Sequence, residues 1–557
     1  MGGAGAASTH DGLVSGRQGA TVLAAKTIRP EYRSGESYRF IVIADGKVAA
    51  LAGTADQAAQ AAGPAALWVD LGSACVGPGF IDTHIHAGQA AADVRLVGLR
   101  EVTTMTGLLS AVGQAALGRP AGQWTVSARN WHESALREGR LPSRSELDAL
   151  GAPGPVLVRR GSHLAVANSH AVALLGAQAL PGRAAQTGLI DSDAVIARAL
   201  GLAGLEQPAL QERCDDLAAV MARLSARGLT AIREAGVDGA EMEVFTRLRD
   251  QNRLSLRCDL LWRIPEGSDP DSARQRLAEM PPAGPMEDPL LRLTAVKAFV
   301  DGRIADAAID PAGPAGVTGG GAGPAEPFRI TPPGLWAIVE ESLRRSAGVA
   351  CHAVGDAAVR VVLDAYERAL SAGLARDPGQ LVIEHALNCS PETIRRMVAS
   401  GVGVSVHPSI VYEFADDIRR YWGPENSARA APVRDLVAAG AAVAAGSDGD
   451  VPPFDPLRSV WFMVTRAARC GGLIGESQAV TRNVALDLYT RRAAALLGAG
   501  TRRGQLRPGM DADLAVFSAD PLTCPIDELP DIGVLATLLG GRPVHDPDRL
   551  MDGNGHA

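Results

Sequence analysis

Cysteine is scarce in this chain and is not placed to form anything. There are seven in 557 residues, scattered, odd in number and without a C-x-x-C pair. That pattern excludes a disulfide framework and a zinc ribbon, and it fits a reducing cytoplasm, the expected compartment. No uninterrupted apolar stretch reaches the roughly 18 residues of a membrane-crossing helix, so no membrane partner is expected. The opening "MGGAGAASTHDGLVSG" lacks the charged and apolar regions of a secretory leader and reads, over residues 1–18, as a flexible tail. Basic blocks are missing too. The net charge of −8 is spread along the chain, which speaks against nucleic acid as a partner. The Gly/Pro-rich stretch "PAGPAGVTGGGAGPAEP" lacks the Gly-Lys-Ser/Thr ending of a phosphate-cradling loop and reads as a lid or a linker. Histidine is also sparse, with eleven in all, and where these stand becomes the central question.

A chain of this length needs more than one hydrophobic core. Both extremes are β-rich, over residues 19–76 and 501–557, and neither holds enough strands to be stable alone. They are expected to pair into one small β-sandwich built from both chain ends. Across residues 77–500, short β-branched runs alternate with helical stretches such as "GLWAIVEESLRRS" and "DAAVRVVLDAYERALSAG". That alternation implies a parallel sheet. Counting from "CVGPGFIDTHIH" to "AAVAAGSDGD" gives eight runs, the number in an α/β (β/α)8 TIM barrel. The span of about 100–227 is too long for one crossover. It reads as an insertion after the first strand, with strands of its own in "QWTVSARNW" and "GPVLVRRGS", and it makes the expected barrel a distorted one.

Barrels of this kind place chemistry at the C-terminal ends of their strands. In "GFIDTHIHAG", His84 and His86 are two apart, so a strand would turn both to one side. The fourth run carries Lys297, the fifth ends at His352, the sixth at His385, the seventh at His407 and the eighth at Asp448. Five of the eleven histidines thus fall at one mouth. Imidazole and carboxylate suit zinc and similar divalent ions. Cys351 precedes His352, and alternation turns it away from whatever His352 faces. From the insertion, His163 is placed to reach a substrate carbonyl. Trp131, His132 and Tyr412 are candidates for lining the pocket, and Asp301, Arg303 and His407 for touching substrate. Asp82 and Asp356 flank the ligand positions as hydrogen-bond acceptors.

These motifs together resemble the amidohydrolase superfamily, and more narrowly its amidohydrolase 3 or YtcJ-like branch, which includes N-substituted formamide deformylases. The resemblance covers nearly the whole chain. "PGFIDTHIH", "VKAFVDG", "HAVGDAAVRVVLDAYE", "IEHA" and "GSDGDVPPFDPL" carry it through the barrel, and "GQLRPGMDADLAVF" carries it into the terminal strands. It implies a divalent metal held by His84, His86, His352 and His385, with Asp448 as general base, and zinc as the expected ion at one or two per chain. Lys297 matches the place of a carboxylated lysine that bridges two metals in binuclear relatives. The implied activity is cleavage of a non-peptide C–N bond in a small amide, N-formyl or N-acyl amine by a metal-activated water whose proton Asp448 takes. The same scaffold could act on an ester, lactone or carbamate, or as a decarboxylase. A metal-binding pseudoenzyme with a sensor or partner role is the reading from another class. A homodimer is compatible with all of these.

Overall fold

The computed structural model describes residues 19–161, 164–176, 183–205, 208–282, 288–309, 328–449 and 454–552. The expected tail at 1–18, His163 and the Gly/Pro-rich stretch lie outside the described residues.

The central sheet has eight parallel strands: β1 (Phe80–Ile85), β2 (Leu229–Val237), β3 (Arg257–Arg263), β4 (Leu291–Phe299), β5 (Gly348–Ala353), β6 (Leu381–His385), β7 (Gly403–Val406) and β8 (Ala442–Ala445). They neighbour one another in chain order from β1 to β8. Helices cover them outside and side chains fill the inside. All nine residues of β2 are buried, which explains why these runs read as apolar and β-branched rather than alternating. The helix Asp356–Ser371 turns Val359, Val362, Leu363 and Tyr366 inward. The Tyr366 hydroxyl lies 3.1 and 2.9 Å from the carbonyls of Val349 and Val382, between β5 and β6. The ring closes nearly fully, because the amide of Asp448, just past β8, donates to the carbonyl of His84 on β1 at 2.8 Å. The α/β barrel expected from the strand count is therefore present.

Between β1 and β2 the chain builds a separate lobe. Its four-stranded sheet runs in the order Leu189–Ile190, Leu164–Ala167, Val156–Arg160, Thr125–Val126. Two apolar clusters belong to it, one around Leu108, Trp131 and Leu147 and one around Leu157, Ala171 and Ile196.

The chain ends meet in one eight-stranded sheet. Cys75–Pro78 pairs antiparallel with Leu514–Phe517, which pairs in turn with Val534–Leu539. Thr21–Ile28 binds Leu67–Asp70 along its first half and Cys75–Pro78 along its second. The eight strands are joined edge to edge in one hydrogen-bonded network. Its core holds Leu23, Ile41 and Val76 together with Leu514, Val516 and Leu538. Under the barrel, Arg257 at the start of β3 grips Asp513 with two hydrogen bonds of 2.6 and 2.9 Å. No helix among the described residues is long and apolar enough to cross a membrane.

Candidate functional site

Asp82 sits buried within β1, and its Oδ1 accepts the amides of His84 at 3.0 Å and Ser447 at 2.9 Å. One carboxylate oxygen thereby ties the C-terminal end of β1 to that of β8. Burial pushes the Asp82 carboxyl up to about 6, against the pull of these bonds. At the mouth the backbone leaves the strand region. Asp448 has φ 53°, His385 φ 78° and Ala386 φ 46°. Each left-handed residue costs roughly 1–2 kcal/mol, and ties such as Ala386 N–H to the Ala353 carbonyl at 3.0 Å hold them there. Asp448 Oδ1 ends 3.1 Å from His84 Nε2 and 3.2 Å from His86 Nε2.

Behind His84 stands Glu384. Its Oε2 is 2.6 Å from His84 Nδ1, and its Oε1 accepts from Arg233, whose Nε donates to the Thr83 carbonyl at 2.7 Å. Burial pushes the Glu384 carboxyl up, but Arg233 and then His84 outweigh it, so Glu384 is held well below the usual carboxylate range. Lys297, on β4 and 1% exposed, brings Nζ within 3.4 Å of His84 Nε2. Burial lowers its ammonium to about 8.

Three more imidazoles complete the cluster. His352 packs 4.3 Å, ring to ring, from His385, which lies 4.4 Å from His407. His352 Nε2 is 3.0 Å from the Gly302 carbonyl, so that nitrogen carries the proton and Nδ1 keeps a lone pair. His385 Nδ1 meets His407 Nδ1 at 2.7 Å, while His385 Nε2 is buried without a hydrogen-bond partner. Burial drives His352 to about 4 and holds His385 and His407 well below the usual histidine range, so all three are neutral near pH 7.

The donor set fits a cation. His84 lies between two carboxylates, Glu384 and Asp448, an arrangement that calls for positive charge between imidazole and acid. One proton could serve His84. A second proton on His86 Nε2 could likewise meet Asp448 Oδ1, but the buried Nε2 of His385 has no hydrogen-bond partner and is left for an ion. Two groups of side chains bring ligand atoms within 4.8 Å of one another: His84 with His86 and Asp448, and His84 with His385 and His407.

Other expected site residues are used elsewhere. Trp131 is 3% exposed inside the insertion, where its indole N–H donates to the Arg159 carbonyl, so it does not line the mouth. His132 lies between the lobe and the barrel, 3.3 Å from Asp417. Both carboxylate oxygens of Asp301 are taken by the amides of Val354, Gly355 and Ala308, at 2.9, 2.9 and 3.0 Å. Asp301 therefore braces the turn after β5 and comes within 3.6 Å of His352. Arg303 is exposed. Tyr412 packs edge-on against Trp461 and Phe462, ring to ring at 6.4 and 6.1 Å. Asp356 caps locally, accepting from Ser390 N–H at 2.7 Å and from Arg360 at 2.6 Å. Cys351 is buried, its thiol pushed up to about 12 by burial. Sequence reasoning did not single out Glu384, nor Ser405, whose hydroxyl is 3.2 Å from His407 Nε2.

Comparison with known proteins follows the same outline. A model described as the amidohydrolase family matches residues 68–545. N-substituted formamide deformylase of Arthrobacter pascens is 27% identical over 522 residues, covering 90% of this chain and 94% of its own. Putative amidohydrolase YtcJ of Bacillus subtilis (strain 168) is 24% identical over 512 residues, covering 86% of this chain and 90% of its own. In fold, an uncharacterized metal-dependent hydrolase from Pyrococcus furiosus superposes with a TM-score of 0.69 at 23% identity, over 90% of this chain and 100% of that one.

Proposed function

The chain belongs to the amidohydrolase family, and on that premise we propose that it is a metal-dependent hydrolase cleaving a non-peptide C–N bond of a small amide, N-formyl amine or N-acyl amine. The observation that carries the reading is His84 held between Glu384 at 2.6 Å and Asp448 at 3.1 Å, with three further neutral imidazoles around it. His84, His86, His352 and His385 would hold the ion, with zinc expected at one or two per chain. A bound divalent ion supplies a water acidified toward neutrality and a Lewis-acid contact for the scissile carbonyl. Asp448, with Oδ1 engaged by His84 and His86, has Oδ2 with which to take a proton from water and pass it to the leaving nitrogen. Glu384 keeps the His84 proton on Nδ1, so that Nε2 faces the site.

Lys297 deepens the reading. A buried ammonium beside a dication is costly. Addition of its neutral amine to carbon dioxide forms an N–C bond, releases a proton and yields an anion able to bridge two ions. A carbamate carbon resonance after incubation with 13C-bicarbonate, lost in Lys297→Ala, supports this. A parental protein without that resonance and with one ion per chain favours the free amine.

The test of the function is metal analysis followed by turnover of matched N-formyl amines, N-acyl amines and their ester counterparts. Zinc in the purified protein, with amide cleavage abolished by chelation and restored by zinc, is the expected result. Protein free of metal, with activity insensitive to chelators, would sink the proposal. Ester-only turnover would redirect it to a different bond.

A further inference from the structure

His407 is fully buried at the end of β7, next to the site but outside the expected ligand set. Its Nδ1 lies 2.7 Å from His385 Nδ1, and a contact of that length between two ring nitrogens is made by one proton and one lone pair. Which ring holds the proton decides what His385 presents to the mouth.

Three observations fix the direction. If His407 donated, the His385 proton would move to Nε2, which is buried and meets no acceptor. A buried donor left unmade costs about 1–3 kcal/mol. In addition, His407 Nε2 faces the Glu384 carboxylate at 3.7 Å and the Ser405 hydroxyl at 3.2 Å, surroundings that favour a proton on that nitrogen. Finally, the Ser405 hydroxyl can pass its own hydrogen to Thr83 Oγ1, 2.7 Å away, so the chain of bonds is satisfied in one sense throughout.

We propose that His407 is a positioning residue: it accepts the His385 Nδ1 proton, so that His385 turns an Nε2 lone pair to the metal. In this arrangement His407 itself is not a ligand, since Nδ1 is an acceptor to His385 and Nε2 carries a proton. The inference rests on the metal reading above. It also separates His407 from His84 and His385, with which it shares close ligand-capable atoms.

A pair of amide substitutions tests the proposal. His407→Asn sets a carbonyl oxygen where Nδ1 stood and keeps the acceptor. His407→Gln reaches toward Ser405 instead and loses it. Zinc affinity is read by competition with a chromogenic chelator, and zinc per chain at saturation by elemental analysis, on full-length protein whose folding is checked by thermal unfolding without metal. Expected is a loss of about 10–100-fold in zinc affinity for His407→Gln, the size typical for partners behind a ligand. His407→Asn should stay near the parent, with stoichiometry unchanged in both. Parental affinity in His407→Gln, equal losses in the two variants, or fewer zinc ions per chain at saturation would each overturn the positioning role. A parental protein that takes up no zinc overturns the metal reading itself, which is a different result.

Discussion

At Asp448 a backbone angle sets the chemistry. With φ 53° and its amide fixed to the His84 carbonyl, the carboxylate is aimed at two imidazoles instead of along the strand. Asp448→Asn keeps the shape and removes the base. Turnover of a good amide substrate should fall about 10²–10⁴-fold while elemental analysis still finds metal. Parental turnover in that variant would remove Asp448 from the proton transfer. Glu384→Gln acts on the far side of His84. It leaves Arg233 buried beside a neutral amide, a defect worth about 3–5 kcal/mol in denaturant unfolding. It also frees His84 to place its proton on Nε2, so zinc affinity should drop by about 10–100-fold. Unchanged zinc binding with reduced stability would confine Glu384 to holding the barrel together.

Among the elements, β6 shows what a sequence conceals. Alternation turns Glu384 and His385 to opposite faces, yet both serve the cluster, because the backbone turns to φ 78° at His385, the last residue of β6. No residue type announces such an angle. The eight strands themselves were legible because parallel strands buried on both faces must be apolar throughout. The histidines and Asp448 were legible because polar residues at the ends of such runs stand out. Trp131 misled for the opposite reason: an aromatic side chain reads the same whether it lines a pocket or packs a core. The insertion offers an element-scale prediction at His132. Its Nδ1 accepts the Ser134 amide at 3.2 Å and its Nε2 faces Asp417 at 3.3 Å, with Glu133 and Arg160 also near. Burial, and then Arg160, lower it to about 4. Below the unfolded value near 6.5 the unfolded chain takes up a proton that the folded one refuses. Stability should therefore decline as pH falls from about 6.5 to about 4, by up to roughly 3 kcal/mol, and level off outside that window. Denaturation of the parent and of His132→Asn across this range isolates the effect, and parallel curves would absolve His132.

For the molecule as a whole, the barrel floor and the chain-end sheet stand or fall together. Arg257 is buried and spends two hydrogen bonds on Asp513, the residue that leads into the strand Leu514–Phe517. Asp513→Asn should cost about 3 kcal/mol in unfolding free energy while leaving zinc content per folded chain unchanged. A neutral result would mean that Asp511, 3.5 Å away, can stand in as counter-ion. The same sheet carries a consequence for synthesis on the ribosome. Cys75–Pro78 must wait for a partner strand that begins at Leu514, about 440 residues later. At roughly 5–20 residues per second, the nascent chain presents an unpaired β-edge for some twenty seconds to a minute and a half. During that interval nothing in the native architecture shields it from strand addition by a neighbouring polypeptide, so the yield of soluble protein should depend on holdase capacity and on growth temperature more than on the equilibrium stability of the finished fold.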